Sequence, residues 1–594
     1  MTQRTVRIGC GAGFWGDTSE GPLQLVTVGE IDYLVLDYLA EMTMSILARV
    51  QARNPTLGYA EDFIRDVMVP LGARIADRRI KVISNAGGLN PSGCALALEK
   101  ALAQAGIHLK VAAVVGDDAR HLLDSIETPL DLDSGMPMPD GIMTANAYVG
   151  AFPIAQALAD GADVVVVGRC TDSALALGPL IHEFGWKPVD WNLLAAGSLA
   201  GHVIECGPQV TGGYQTDWAQ AADSWDTIGF PIVECYADGT FVVAKPEGTG
   251  GIVNVGNVAE QITYETGDPE AYILPDVVCD LSRVTVRDVG PNRVLVSGVS
   301  GKPATNSYKV SATYRDGYRC TALMMIRGID AIAKARAVAT AVLRRTGRIF
   351  QREGLAPYTE TSVEILGTEE GYGRHSRIET SREVILKIAA RHSEKRALDI
   401  LAREVAPPGT SMAPGTSGIS ARPKVQDMVR LFSFLIEKSA LTLSVQSGGR
   451  SQEVPIRTEG KPVALRIPSQ DTTGAAGQPA ADITVPLVKV AVARSGDKGD
   501  TSNVAILARD ERLLPILRQQ LTAEALASYM EHLVSGDVVR YDWPGLNGFN
   551  FLFRRALGGG GIASLRFDPQ GKSHAQILLD FPIRLPAALQ DAIQ

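Results

Sequence analysis

Over the first two hundred residues, short runs of β-branched and aliphatic residues alternate with longer segments whose apolar positions recur every three or four residues. The short runs, at 5–9, 33–37, 81–85, 110–116 and 163–168, predict strands. The segments 38–53, 60–76, 92–106 and 147–160 predict amphipathic helices. The run VVVV at 164–167 is apolar on both faces, as in a parallel strand covered by helices on each side. Alternation at this spacing predicts an α/β fold with a doubly wound, mostly parallel sheet.

From about residue 207 the pattern changes. Strand-like runs at 230–235, 240–244, 283–286 and 293–296 sit between glycine-rich turns, followed by a helical pattern at 328–346, a strand at 362–366 and a helix at 426–438. This predicts one large unit, 1–445, with a parallel half at 1–206 and an α+β half at 207–445. Residues 446–482 hold SGGRS, EGKP and SQDTTGAAGQPA with little apolar periodicity, and read as a linker. Residues 483–594 predict a small α+β domain, with strands at 488–493, 503–507, 538–541, 562–567 and 574–580 and a helix at 514–533.

Composition narrows the classes. A chain of 594 residues exceeds a single hydrophobic core, and 45% hydrophobic with 21% charged residues is ordinary for packed globular protein. Net charge is −9, and the sequence reads without a basic stripe or interleaved aromatics, so nucleic acid is not an expected partner. The seven cysteines include no CxxC pair, which suits a reducing compartment. No basic-then-apolar leader precedes the first strand, and no apolar stretch approaches the roughly 20 residues of a membrane span. The expected location is the cytoplasm, with no membrane partner.

In an open parallel sheet, ligands bind beyond the carboxyl ends of the strands, so those ends carry the candidates. Strand one runs into Gly11, Gly13 and Gly16, a GxGxxG spacing, then Asp17. Asp37 ends the second strand in the place of a ribose ligand. The following DTSEGP is a poor helix start, so a tight turn or an amide cradle for an anion competes with the dinucleotide reading. Asn85, Gly87, Gly88 and Asn90 follow the third strand. Asn90 before Pro91 suits a helix cap, whereas Asn85 and the glycine amides suit a carboxylate or thioester oxygen.

The last strand of the parallel half ends in Arg169, Cys170, Thr171 and Asp172. A guanidinium there suits bidentate binding of a carboxylate or phosphate. Thr171 and Asp172 also suit a helix cap, and Cys170 is a nucleophile only if its pKa is lowered. Glu205 ends a helical pattern, where a partly desolvated carboxylate is a general base. His202 stands three residues before it, a metal-ligand spacing that lacks a third nearby ligand. In the small domain, Asp497, Lys498 and Asp500 bring both signs of charge to a glycine-hinged loop, suited to capping a polar site on the large unit.

The motifs GAGFWGD (11–17), DYLVLDYLAE (32–41), SNAGGLNP (84–91), GRCTDSAL (168–175), HVIECGPQVTGGY (202–214) and SGDKGDTSN (495–503) together resemble the AtuA-like acyclic terpene utilisation family. They run in order along nearly the whole chain. The small domain resembles the ferredoxin-like domain that accompanies this family, fused or separate. Two positions depart from the family's pattern: Cys170 stands where a hydrophobic residue is usual, and Pro208 replaces an alanine.

The resemblance implies breakdown of acyclic terpenes and other branched acids through acyl-CoA esters. The leading expectation is a hydro-lyase, lyase or isomerase that abstracts a proton next to a carbonyl. Asp17, Asp172 and Glu205 are its catalytic candidates. Gly13, Asn85, Gly87, Gly88, Asn90, Arg169, Thr171, Asp497, Lys498 and Asp500 are its substrate-binding candidates. A non-catalytic acyl-CoA-binding or assembly subunit of a carboxylase pathway is the alternative, and a dinucleotide-dependent oxidoreductase the third. Expected partners are a small-molecule acid or acyl-CoA and further copies of the chain; no metal is expected, and the cofactor is left open.

Overall fold

Alternate residues of the central strands enter two different cores, which is what a sheet covered on both faces requires. The computed structural model describes residues 4–418, 421–463, 466, 483–561 and 563–593. Its first half holds strands β1 (Thr5–Ala12), β2 (Tyr33–Leu36), β3 (Lys81–Ser84), β4 (Val111–Val115), β5 (Ile142–Ala147) and β6 (Val164–Val167). The helices are α1 (Glu20–Val28), α2 (Glu41–Arg53), α3 (Val69–Asp77), α4 (Pro91–Gln104), α5 (Phe152–Ala159), α6 (Ala174–Phe184) and α7 (Trp191–Ile204). Leu34, Leu36, Val164 and Val166 pack with α1, α3 and α4, while Tyr33, Val35, Val165 and Val167 pack with α5, α6 and α7.

The parallel strands run in the order β1-β2-β3-β6-β4 at the centre of an 11-stranded sheet. Beyond β1, the strands Ile232–Tyr236, Phe241–Ala244, Arg293–Ser297 and Thr285–Gly290 continue it antiparallel. The sheet therefore crosses the expected boundary at residue 206 without a break. A second sheet is organised by the 21-residue strand Ser307–Arg327, which pairs with β5, Gln426–Glu437, Glu383–His392 and Thr416–Gly418. No helix among the described residues is long and apolar enough to cross a membrane.

Several expectations need correction. The expected helix at 426–438 is instead the strand Gln426–Glu437: Phe432, Phe434 and Ile436 are buried while Leu435 is exposed, the period of two that a strand shows. The stretch DTSEGP does lead into a helix, α1, although Ser19 makes no side-chain cap. The expected linker starts too early. Ser444–Ser447 pairs with β4 and turns back into Arg450–Glu453, and residues 464–465 and 467–482 lie outside the described residues.

In the small domain a four-stranded antiparallel sheet joins Ala491–Lys498, Thr501–Ala508, Gly548–Phe553 and Val538–Trp543. The expected helix at 514–533 is two helices, Leu514–Gln520 and Ala523–Tyr529. The break falls at Thr522, whose hydroxyl accepts from the Ala525 amide at 3.1 Å. Residues 574–578 are helical, and 563–567 form loop instead of strand; Ile562 lies outside the described residues. The loop at 495–503 is a strand hairpin turning tightly at Gly499 and Asp500.

Candidate active site

Strands β2 and β6 end side by side with β3, so Asp37, Asn85 and Arg169 converge at the carboxyl edge. Asn85 is fully buried; its Oδ1 accepts from the Tyr38 amide at 2.7 Å and its Nδ2 donates to Asp37 Oδ1 at 2.6 Å. Burial and the nearby Asp172 and Glu205 hold the Asp37 carboxyl well above the usual range, against the Asn85 hydrogen bond and Arg169. The chain just after β6 runs parallel to residues 148–149, with the Thr171 amide bonded to Val149 O at 3.0 Å. That register puts the Tyr148 ring against Arg169, whose guanidinium carbon lies 4.3 Å from the ring centroid.

Arg169 is placed differently from the expectation of an open fork. Its Nη1 donates to Leu39 O at 2.5 Å and Asp172 Oδ1 at 3.2 Å, its Nη2 donates to Tyr148 Oη at 2.9 Å, and its side chain is 4% exposed. It holds Asp172 in place. Asp172 keeps 28% of its side chain exposed. Burial pushes its carboxyl up to about 7, with Glu205 and Glu265 adding to the effect and Arg169 and Lys498 opposing it.

At the end of α7, Glu205 Oε1 lies 3.2 Å from Nδ1 of His202, whose ring is buried 5.5 Å from that of Tyr272. Burial disfavours a charge on His202, but the Glu205 hydrogen bond and charge outweigh it and raise its pKa. The two side chains at the metal-ligand spacing are thus spent on each other. No group of three or more potential ligands able to hold a metal ion occurs among the described residues.

The small domain closes this corner. Its strand Ala491–Lys498 brings Arg494 between the Tyr214 and Tyr264 rings, 4.4 and 4.6 Å from their centroids, where the guanidinium also bonds Tyr214 O and Gln209. Asn503 donates to Thr263 O at 2.9 Å, and Asn550 to Thr266 O at 2.7 Å, so two strands grip the turn at 263–267. Inside that grip Glu265 adopts φ +56°, a costly backbone state kept where surroundings over-determine it. Its carboxylate pairs with Lys498. Burial opposes the charge on Glu265, but Lys498 and Lys572 prevail and lower its pKa. The Lys498 charge also lowers the Asp172 titration.

Other expected residues serve the scaffold. Asp17 accepts from the amides of Gly13 at 3.1 Å and Thr18 at 2.7 Å, closing its own loop. Gly13 itself packs against the Cys206 backbone, and its amide, already given to Asp17, is not an open donor. That packing, and the burial of Asp37 on Asn85, leaves the glycine loop unlike an open pyrophosphate cradle. Asn90 caps α4, accepting from the Gly93 amide at 3.0 Å, and donates to Thr56 O and Leu57 O. Gly87 and Gly88 are buried, and the Gly88 amide donates to Asn85 O.

Thr171 is half-buried beside the site, with its amide on Val149. Asp500 accepts from the Leu557 and Gly559 amides, and Asp497 lies 3.5 Å from Lys572; of the three hairpin charges, Lys498 is the one directed to the large unit's carboxylates. Burial pushes the Cys170 thiol up, the opposite of what a nucleophile needs.

Sequence reading missed Tyr148, Glu265 and Tyr272, and it weighed Asp37 only as a ribose ligand. Asp37 carried a usable signal, an acid directly at the end of a parallel strand.

The family model described as acyclic terpene utilisation family protein AtuA matches residues 6–447, and that of the AtuA ferredoxin-like domain matches residues 485–584. No curated protein and no solved structure was found to match the chain. On the length and order of those two matches, this chain belongs to the AtuA family, with a role in acyclic terpene utilisation.

Proposed function

We propose that the protein is an enzyme of acyclic terpene or branched-acid catabolism that abstracts a proton next to the carbonyl of a carboxylated or CoA-activated substrate. The observation that supports it is Asp172, a partly exposed carboxyl bonded to Arg169, which burial raises to about 7 against the opposing pull of Arg169 and Lys498. A base near neutrality is half-available at working pH and has gained proton affinity over an ordinary aspartate. Arg169 fixes its orientation. Burial sets its raised proton affinity, and Glu205, itself bonded to His202, adds to it. Lys498, with 56% of its side chain exposed, supplies the positive charge that an enolate oxygen requires.

The test is proton exchange in D2O, followed by NMR, at the carbon next to the carbonyl of 3-methylbutanoyl-CoA and of the free acid. Wild-type protein is expected to exchange that proton, and Asp172→Asn to slow exchange by about 100-fold or more, the scale of general-base catalysis. Exchange by the asparagine variant at the wild-type rate overturns the proposal. Binding of the thioester without exchange by the wild type supports the acyl-CoA-binding subunit instead.

A further inference from the structure

The helix Ala331–Glu353 covers the second sheet with Ala335, Val338, Val342 and Phe350 and carries six cations against one carboxylate, on a chain of net charge −9. Arg344, Arg348 and Arg352 are exposed at a spacing of four, so they form one row. The expectation of no basic stripe is corrected here: only the helix brings these arginines into line. Like charges at this spacing destabilise a helix. Among the described residues, none of the three makes an ion pair, although the neighbouring Arg345 and Glu353 pair with Glu404 and Arg396. Toward its N-terminus the same helix layer exposes Ile329, Ala333 and Ala337.

A second unmatched surface has the opposite sign. Residues 124–140 contain five acids and no Lys or Arg. Leu130, Leu132 and Met136 on this loop are 61%, 51% and 63% exposed. The loop is not loosely hung: the Leu132 amide donates to Ser433 O, and the Ser433 amide donates to Asp131 Oδ1, both at 2.8 Å. Exposed apolar side chains rimmed by charge mark interaction surfaces. Acid-plus-apolar on one element and arginine-plus-apolar on another are complementary, yet both are exposed within one molecule.

We infer that the two surfaces form one self-association interface, in which the loop 124–140 of one copy docks on the helix 331–353 of a second copy. Carboxylates meet the arginine row, and the leucines and methionine meet Ile329 and the exposed alanines. With two-fold symmetry each pair of copies makes the contact twice. The loop also borders the small-domain hairpin, since a Cβ at Gly499 would press on the Asp133 carboxylate.

The test is sedimentation velocity on the full chain and on two charge-reversed variants, R344E/R348E/R352E and D124K/E127K/D140K. Circular dichroism checks that each variant is folded. Wild type is expected to associate and to dissociate between about 0.1 and 1 M salt, as the Debye length falls from about 10 to 3 Å. Each variant alone is expected to be monomeric, and an equimolar mixture of the two to associate again, because reversed loop then meets reversed helix. Should a variant fold poorly, L130S/M136S with R344Q/R348Q/R352Q gives the loss arm without reversal. A monomeric wild type, association insensitive to both sets, or a mixture that stays monomeric overturns the interface.

Discussion

Replacing Asp172 by asparagine is expected to stabilise the protein, and only above a certain pH. An aspartate ordinarily titrates near 3.8, whereas burial in this cluster raises Asp172 to about 7. Below pH about 4 the group is protonated in folded and unfolded chains alike, and asparagine changes little. Between about 4 and 7 the folded chain keeps the proton that the unfolded chain releases, so stability falls as pH rises. Above about 7 the loss is complete. Three units correspond to about 4 kcal/mol, which the 28% exposure of the side chain reduces to about 2–3 kcal/mol.

An unfolding entropy of roughly 2.1 cal/mol/K per residue turns that into about 2 °C for cooperative unfolding of this chain. The assay is the melting temperature of both proteins from pH 4.5 to 8.5. The difference should be near zero at the acid end and rise to a plateau of about 2 °C in favour of asparagine. An asparagine variant equally destabilised at every pH would show that Asp172 is only an ion-pair partner for Arg169, and would refute the base assignment with it.

Three further outcomes are expected. Lys498→Met removes a charge that lowers the Asp172 titration, so the limb of the exchange rate set by ionisation of the base should move to higher pH; an unmoved limb separates Lys498 from the site. Gly496→Ala would set a Cβ 2.8 Å from Glu265 Cγ and 2.9 Å from its backbone nitrogen. It should cost about 1–3 kcal/mol of docking, seen as faster hydrogen exchange across 263–267, and unchanged protection there would contradict the close approach. Removing residues 483–594 should abolish proton exchange on the substrate and adding the domain back should restore it, with the pH limb displaced upward where the added domain carries Lys498→Met; a fully active truncated chain would make the small domain an appendage.

The parallel core was legible because its signals are local. Continuous apolar runs such as Val164–Val167 need partners on both faces, and short loops after them leave polar residues at one edge. That logic found Asp172, Arg169 and Asn85 without any contact being known. It failed where a run is ambiguous over its own length: residues 426–437 mix buried neighbours at 428 and 429 with strict alternation at 432–436, and only pairing with Ser307–Arg327 makes them a strand. It failed again at 446–447, polar residues that become sheet because β4 offers them an edge.

By itself, then, the sequence determined which residues stand at the carboxyl edge, since strand direction and loop position follow from the local pattern. Tertiary structure alone decided what each of them does there. Asn90 and Asp17 are turned to capping and loop closure, and Arg169 is consumed by Leu39, Tyr148 and Asp172. Tyr148 and Glu265 reach the site from distant segments, and Lys498 reaches it from another domain. The reason is physical. A carboxylate's proton affinity depends on burial and on charges within a few ångströms, and those neighbours come together only when the chain has folded.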